Sequence, residues 1–422
     1  MLSASASLDA IGRWAGPLLT SLRKANAHEA GLASPPVPPQ PHPRLYAGLG
    51  KEDKARLAVA AAITLNSAQF TERYTPSRVI GFGNNGACLL CHDSTTGLQV
   101  AIKVIYRAQS AEPPYPACPE IDTLTAVQGA SPYIIAYKAS WQDRNHIYLV
   151  TEPWGDPTAP EPADADPAPP PLRISDTLHL PVSTGSSDLF AWSYAARLHE
   201  YSTHAGSLHL PHSPLKRIIA QVAHALRGIN TRGYVHGDVK LENILIRYPA
   251  HDATEPEARL VDFGHARPLR GGAGGRYGTR IVAAPEFLSD SPFDEGARDA
   301  RAADVFALGM VLYLLLNGDG GMPEVCNEMQ RDAVGFFDLV SVDKGRFPFE
   351  GGVLGTARDG GDGYDNRSSV DGDTGVEGSS SGLEGIEGDA LDLLHAMCMV
   401  NPVRRLTIDQ VLEHPWLAEV QL

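Results

Sequence analysis

Three short strings in this 422-residue chain carry residue types that can handle phosphate, a hard cation and a proton. Gly81-Phe82-Gly83-Asn84-Asn85-Gly86 spaces glycines so that a strand-turn-strand can close over phosphates with backbone N–H groups aimed at them. Taken alone, it describes a hairpin turn better than a phosphate cradle. Its context changes the reading. Val100-Ala101-Ile102-Lys103 follows at one strand's distance and places a lysine under that turn, where an ammonium can neutralise phosphate charge. In His236-Gly237-Asp238-Val239-Lys240-Leu241-Glu242-Asn243, an Asp and an Asn five apart can meet in one irregular loop. Asp238 can accept a hydroxyl proton, and Asn243 can offer an amide oxygen to a hard cation. In Leu260-Val261-Asp262-Phe263-Gly264, an acid ends an apolar strand. Magnesium takes one or two carboxylates together with substrate phosphates, so Asp262 suits it. The order of the three strings is what gives them force.

The elements that must position these residues fall into two groups. From Tyr74 the text runs as short strands broken by glycine, then a helical EIDTLTAVQ and two more strand runs. From about Pro214 it turns helical: LKRIIAQVAHALRGI is amphipathic, and DVFALGMVLYLLL is apolar on nearly every face and belongs in a large core. A strand-rich piece leading into a helix-rich piece predicts an α+β fold of two unequal lobes. Residues 1–70 read as a partly disordered extension with a stiff SPPVPPQPHP spacer. The Pro, Ala and Asp-rich stretch 155–187 and the Gly, Ser and Asp-rich stretch 351–388 read as disordered insertions, too poor in apolar residues to offset their ordering entropy.

A formal charge of -15 argues against a nucleic-acid-binding face and against anionic membranes. Five cysteines are too few and too odd for a disulfide framework in a chain this long, which predicts a reducing, cytoplasmic setting. No apolar run has transmembrane length. The Ser- and Ala-rich first residues, with Arg13, Arg23 and Lys24, fit a short surface helix better than an organelle transit peptide. Cys88-Leu89-Leu90-Cys91-His92 satisfies a haem-attachment string, but on a strand cysteines three apart face opposite sides.

With these motifs in this order, the chain resembles eukaryotic protein kinases of the serine/threonine type from about Tyr74 to Leu417. The resemblance implies a bilobal fold, with a small antiparallel β-sheet lobe at 74–153 carrying one helix and a larger, mainly helical lobe at 188–417. It implies ATP and Mg2+, and a protein substrate carrying Ser or Thr, served by a single chain without nucleic acid or membrane. Asp238, Lys240, Lys103 and Asn243 become the catalytic residues. Ile80, Gly81, Gly83, Gly86, Cys88, Ala101, Lys103, Glu120, Thr151, Glu152 and Leu245 become the nucleotide site, with Thr151-Glu152 opening the hinge. Asn243 and Asp262 become the metal ligands. Glu120 is the expected partner of Lys103, with Glu112 as the alternative. Asp188 marks the ribose lip, in competition with Asp156. Leu124, Tyr137, His236 and Phe263 form an apolar column. Ala284-Pro285-Glu286 ends the activation segment, with Glu286 pairing Arg405, and Asp304 caps the buried helix.

The catalytic loop has Gly237 where many members of that family carry Arg, and HARPLRGGAGGRYGTRIVAAPE contains no Ser. Activity independent of activation-loop phosphorylation is the expectation. A kinase-like small-molecule phosphotransferase and a pseudokinase scaffold are the competing readings. Lys240 and the Ala-Pro-Glu segment speak against the first, and the four intact polar residues against the second.

Overall fold

The computed structural model describes residues 46–65, 68–109, 111–155, 171–174, 178–180, 188–203, 209–249, 255–269, 279, 282–288, 291–293, 298–317, 323–332, 334, 336–337, 340, 345–349, 383 and 386–422. It divides into two compact units: Met1–Ala191 with Leu245–Tyr248 and Arg259–Gly264, and the remainder of the chain from Trp192.

The first unit opens with helix α1 (Lys51–Leu65) and a π-helical turn (Ala68–Arg73). Strands β1 (Tyr74–Phe82), β2 (Gly86–Asp93) and β3 (Gln99–Tyr106), helix α2 (Pro119–Val127), and strands β4 (Tyr137–Gln142) and β5 (His146–Thr151) follow. The strands form one antiparallel sheet in the order β1-β2-β3-β5-β4. Alternation along β3 sends Val100, Ile102 and Val104 into one core, leaving Ala101 and Lys103 on the opposite face.

That core is covered by what the sequence assigned to the extension. Ala55, Leu57 and Ala58 through Ala62 of α1 are buried with Val79, Leu89, Cys91, Tyr148 and Val150. A run of alanines lets a helix backbone lie close on a sheet, and Glu52 and Asp53 in the first turn suit the helix dipole. The SPPVPPQPHP spacer lies outside the described residues.

The disordered reading of 155–187 needs correction at Leu172–Leu180, while 156–170, 175–177 and 181–187 lie outside the described residues. Strands β6 (Leu172–Arg173) and β7 (His179–Leu180) pair as a hairpin, and Leu172, Ile174 and Leu180 join the same core as α1. Leu172, Ile174, Leu178 and Leu180 alternate with polar residues, which is a strand signal that the surrounding prolines and acids dilute in composition. At the other insertion, 351–382 lies outside the described residues, but Leu383 is buried and a helix starts at Gly388.

Helix α3 (Leu189–Thr203) leads into the second unit. There α4 (His212–Thr231) is followed by β8 (Tyr234–Val235). The short pair β9 (Ile244–Arg247) and β10 (Glu257–Leu260) contributes Leu245–Arg247 and Arg259–Leu260 to the first unit. Strand β11 (Arg267–Pro268) pairs with β8. Helices α5 (Ala300–Leu316), α6 (Glu324–Arg331), α7 (Gly388–Met397) and α8 (Ile408–Leu412) complete the chain. Beyond its first turn α5 is buried at every residue but Leu314, as its unbroken apolar run requires. Glu286 and Arg405 form a bidentate pair at 2.7 and 2.9 Å, with both side chains wholly buried. Arg405 also donates to the carbonyls of Ala302 and Met399, so its donors are not left bare in the core.

Candidate active site

Within the first unit, one lysine gathers two acids. Lys103 Nζ stands 2.7 Å from Glu120 Oε1 and 2.8 Å from Asp262 Oδ1. Burial pulls the ammonium's pKa down, but the two carboxylates outweigh it and hold the group above the ordinary lysine range. Glu120 is in the first turn of α2, which starts at Pro119, a position where a missing N–H costs nothing. Glu112 lies against Arg144 instead. Asp262 is the one non-glycine residue with positive φ (62°) among those described. A strained backbone of this kind persists where the surroundings over-determine it, and such sites are often functional.

The other residues of this unit expected to hold a nucleotide lie on or beside strands β1, β2, β3, β5 and β9. The turn after β1 closes through Gly83 N–H donating to the Gly86 carbonyl at 2.9 Å. A Cβ on Gly86 would meet the Val104 carbonyl oxygen at 2.8 Å, whereas Gly81 and Gly83 have open space around them into which a ligand can approach. Ile80 lies next to Gly81 on β1, Cys88 is the cross-strand neighbour of Lys103, and Ala101 is that of Thr151. Burial pushes the Cys88 thiol up to about 11. Cys91 faces the α1 core, so the two cysteines do point apart as strand geometry requires.

Glu152 differs from a simple ligand. Its N–H donates to the Ala136 carbonyl, its Oε1 accepts from Ala136 N–H at 2.9 Å, and Arg259 Nε is 3.6 Å away. The side chain is spent on holding the chain in place. Leu245 bridges Asp188 through the backbone. The Asp188 carboxylate accepts from Ala191 N–H at 2.9 Å, so it caps α3. Asp156 lies outside the described residues.

The second unit holds the Asp238 loop, where proton acceptance was expected. Asp238 Oδ1 accepts from Thr279 Oγ1 at 2.7 Å and from Thr279 N–H at 2.9 Å. Its Oδ2 accepts from Lys240 Nζ at 2.8 Å and Asn243 Nδ2 at 3.0 Å. Burial alone would raise this carboxyl's pKa; the bonds from Lys240 and Thr279 overcome that and hold it below the usual aspartate value. The Asn243 amide nitrogen also donates to the Asp238 carbonyl at 2.8 Å, which leaves Oδ1 as the atom suited to a cation.

Asp304 does not cap α5. The cap is Asp299, which accepts from Arg301 N–H. Asp304 lies one turn inside the helix and accepts from His236 N–H at 2.8 Å and Gly237 N–H at 2.9 Å, fixing the backbone before Asp238. Gly237 has φ 78°, and a Cβ there would come within 2.6 Å of the His265 carbonyl oxygen. Glycine is what this backbone admits. The sequence reading missed both the hold of Asp304 on the His236–Gly237 backbone and the direct bond from Thr279 to Asp238. An acid inside an otherwise apolar helix was the available signal for the first.

Of the apolar column, Leu124 and Phe263 are buried and Tyr137 is half-buried in the first unit, and His236 is buried in the second. Among the described residues no helix is long and apolar enough to cross a membrane. Nor do three or more His, Cys, Asp or Glu group to hold a metal among them. Magnesium bound through Asp262 or Asn243 would therefore draw its remaining ligands from phosphate and water, as it commonly does.

Comparison with known proteins agrees with this geometry. The chain is 25% identical over 358 residues to ribosomal protein S6 kinase alpha-6 of Mus musculus, covering 84% of this chain and 35% of that protein. It is 26% identical over 362 residues to ribosomal protein S6 kinase 2 alpha of Gallus gallus, and 25% identical over 362 residues to ribosomal protein S6 kinase alpha-1 of Homo sapiens. It spans about a third of the length of these relatives. The family model of the protein kinase domain matches residues 74–157 and 189–417, on both sides of the insertion, and the chain belongs to the protein kinase family.

Proposed function

We propose that this chain transfers the γ-phosphoryl group of ATP to serine or threonine hydroxyls of other proteins. The observation that carries the reading is the saturated carboxylate of Asp238, held by Lys240 and by Thr279 ahead of the Ala-Pro-Glu segment. A carboxylate kept ionised and aimed by several donors suits the orientation of an attacking hydroxyl and the acceptance of its proton. Lys240 then screens negative charge arriving beside Asp238. In the first unit, Lys103, positioned by Glu120, anchors the α- and β-phosphates beneath the open glycines Gly81 and Gly83. Cys88, Ala101 and Leu245 provide apolar contact for the base. Asp262 in the first unit and the Oδ1 of Asn243 in the second would each offer an oxygen to Mg2+, which when bound neutralises phosphate charge. The rest is positioning and electrostatics.

Activity without activation-loop phosphorylation is part of the same reading. In many kinases a basic residue before the catalytic Asp receives a loop phosphate. Here that place is held by Gly237, in a conformation that leaves no room for a side chain. Phosphatase treatment should leave activity unchanged; its loss together with loop dephosphorylation would refute this part.

The decisive assay offers radiolabelled ATP and magnesium with a generic basic protein, and separately with an aminoglycoside and with choline. Label on Ser or Thr of the protein, abolished in Asp238→Asn, is the expected result. Label only on a small molecule would establish the phosphotransferase alternative. Nucleotide binding without transfer would establish the scaffold.

A further inference from the structure

Behind the segment Thr151–Trp154 the first unit contains a stack that the nucleotide-site residues do not use. The guanidinium carbon of Arg247 lies 3.6 Å from the centroid of the Trp154 ring, and that of Arg259 lies 3.8 Å from it. Two such carbons this close to one centroid would collide on a single face, so the indole is sandwiched between them. Trp154 is 7% exposed, and its indole N–H has no hydrogen-bond partner among the described residues. Ring stacking, rather than a hydrogen bond, is what holds the side chain. The charge is partly balanced by Glu152, 3.6 Å from Arg259 and itself bonded to Ala136.

The placement of the two arginines gives the stack a consequence. Arg247 is two residues after Leu245 on β9, so both project from the same side of that strand. Arg259 is on β10, whose next residue Leu260 is pinned by donating to the Tyr133 carbonyl and accepting from Ile135 N–H. Asp262 follows two residues later. One aromatic ring thus ties the end of β5 to the strand pair that carries Leu245 and leads to Asp262. It stands two residues before Asp156, where the described residues break off until Pro171.

We propose that the Arg247–Trp154–Arg259 sandwich is a positioning element that holds Thr151–Trp154 in the geometry that receives the nucleotide's base, and so sets ATP affinity. This rests on the kinase reading above. A segment already ordered before binding spares the ligand the cost of ordering it. Loosening it should therefore weaken nucleotide binding and leave the chemical step alone.

The test measures dissociation constants for trinitrophenyl-ATP, KM for ATP, KM for the protein substrate, and kcat on the full chain. Trp154→Ala should weaken nucleotide binding and raise KM for ATP by about tenfold, with kcat and protein-substrate KM within about twofold. Trp154→Phe, which keeps a ring between the two guanidiniums, should recover most of the loss. If Trp154→Ala does not fold, the Arg247→Met/Arg259→Met double variant carries the same expectation at about fivefold. Unchanged nucleotide affinity, or a fall in kcat at constant KM, overturns the proposal. A wild type that binds the nucleotide but transfers nothing would sink the kinase reading alone, since the affinity ratio still tests the sandwich. A wild type that binds no nucleotide overturns both.

Discussion

The Lys103 cluster of the first unit and the Asp238 loop of the second solve opposite problems with the same residue chemistry. Around Lys103 the charges are shared and half open: the Asp262 side chain is 42% exposed and Lys103 26%, and the Asp sits on strained backbone. Around Asp238 the carboxylate is closed, with 2% side-chain exposure and four donors. An ion pair open to water exchanges partners at little cost. A saturated buried carboxylate holds one geometry, because every lost bond leaves a desolvated atom. Under the proposed function, the difference suits a cluster that gives way to incoming phosphates and a loop that is already aimed.

That contrast can be broken at several places. Replacing Asp238 by Asn should lower kcat about 10²–10⁴-fold while nucleotide affinity stays near wild type, read by steady-state kinetics beside a binding titration. If affinity falls instead, the loop is part of the nucleotide anchor and the division fails. Lys103→Met should lower kcat/KM about 10²–10³-fold with the loss visible in ATP affinity, since it removes the ammonium on which both acids converge. Equal loss in kcat alone would assign the lysine to the chemical step.

Gly237→Ala probes how rigid the closed loop is. The left-handed φ and the approach to His265 should together cost about 2–4 kcal/mol in denaturant unfolding. A neutral result would mean that the backbone there relaxes freely. Acid sharpens the comparison further. The Asp238 pKa is depressed in the fold, so its stabilisation is present above the unfolded aspartate value and is lost as pH falls through the lower folded one. From neutrality down to the ordinary 3.8, no loss of kcat/KM should therefore come from this group, and pH profiles of wild type and Asp238→Glu would reveal one.

A measurement on the first unit concerns Cys88, next to Lys103 on the sheet. Burial moves its thiol from an ordinary 9.0 to about 11, so alkylation by iodoacetamide at neutral pH should run about a hundredfold slower than for a free thiol. Rapid alkylation that ATP blocks would show this face to be more open than the cluster suggests.

Much of the site could be read in the chain because short-range chemistry announces itself in residue type and spacing. Asp238 with Asn243, and Lys103 on its strand, are local arrangements. So is the start of α2 at Pro119, which selects Glu120 over Glu112. The misreadings concern groups whose roles depend on distant partners. Asp304 looked like a helix cap, yet its oxygens meet backbone N–H groups 67 and 68 residues away. The carboxylate of Glu152, likewise, holds the Ala136 N–H, a partner 16 residues away that its own string does not announce. The hairpin at Leu172–Leu180 was hidden because composition averages over a window, whereas burial depends on which few side chains alternate.

The sequence by itself determined which residues could handle phosphate, metal and proton, the α+β class, and the order in which strands give way to helices. These follow from residue chemistry and from the two periods of strand and helix. Only the tertiary structure decided that α1 and the β6–β7 hairpin share the core behind the sheet, that Thr279 bonds Asp238, and that Trp154 lies between two arginines. Each of those joins segments far apart in the chain, and no local periodicity encodes which distant surface an apolar face or a charged group will meet.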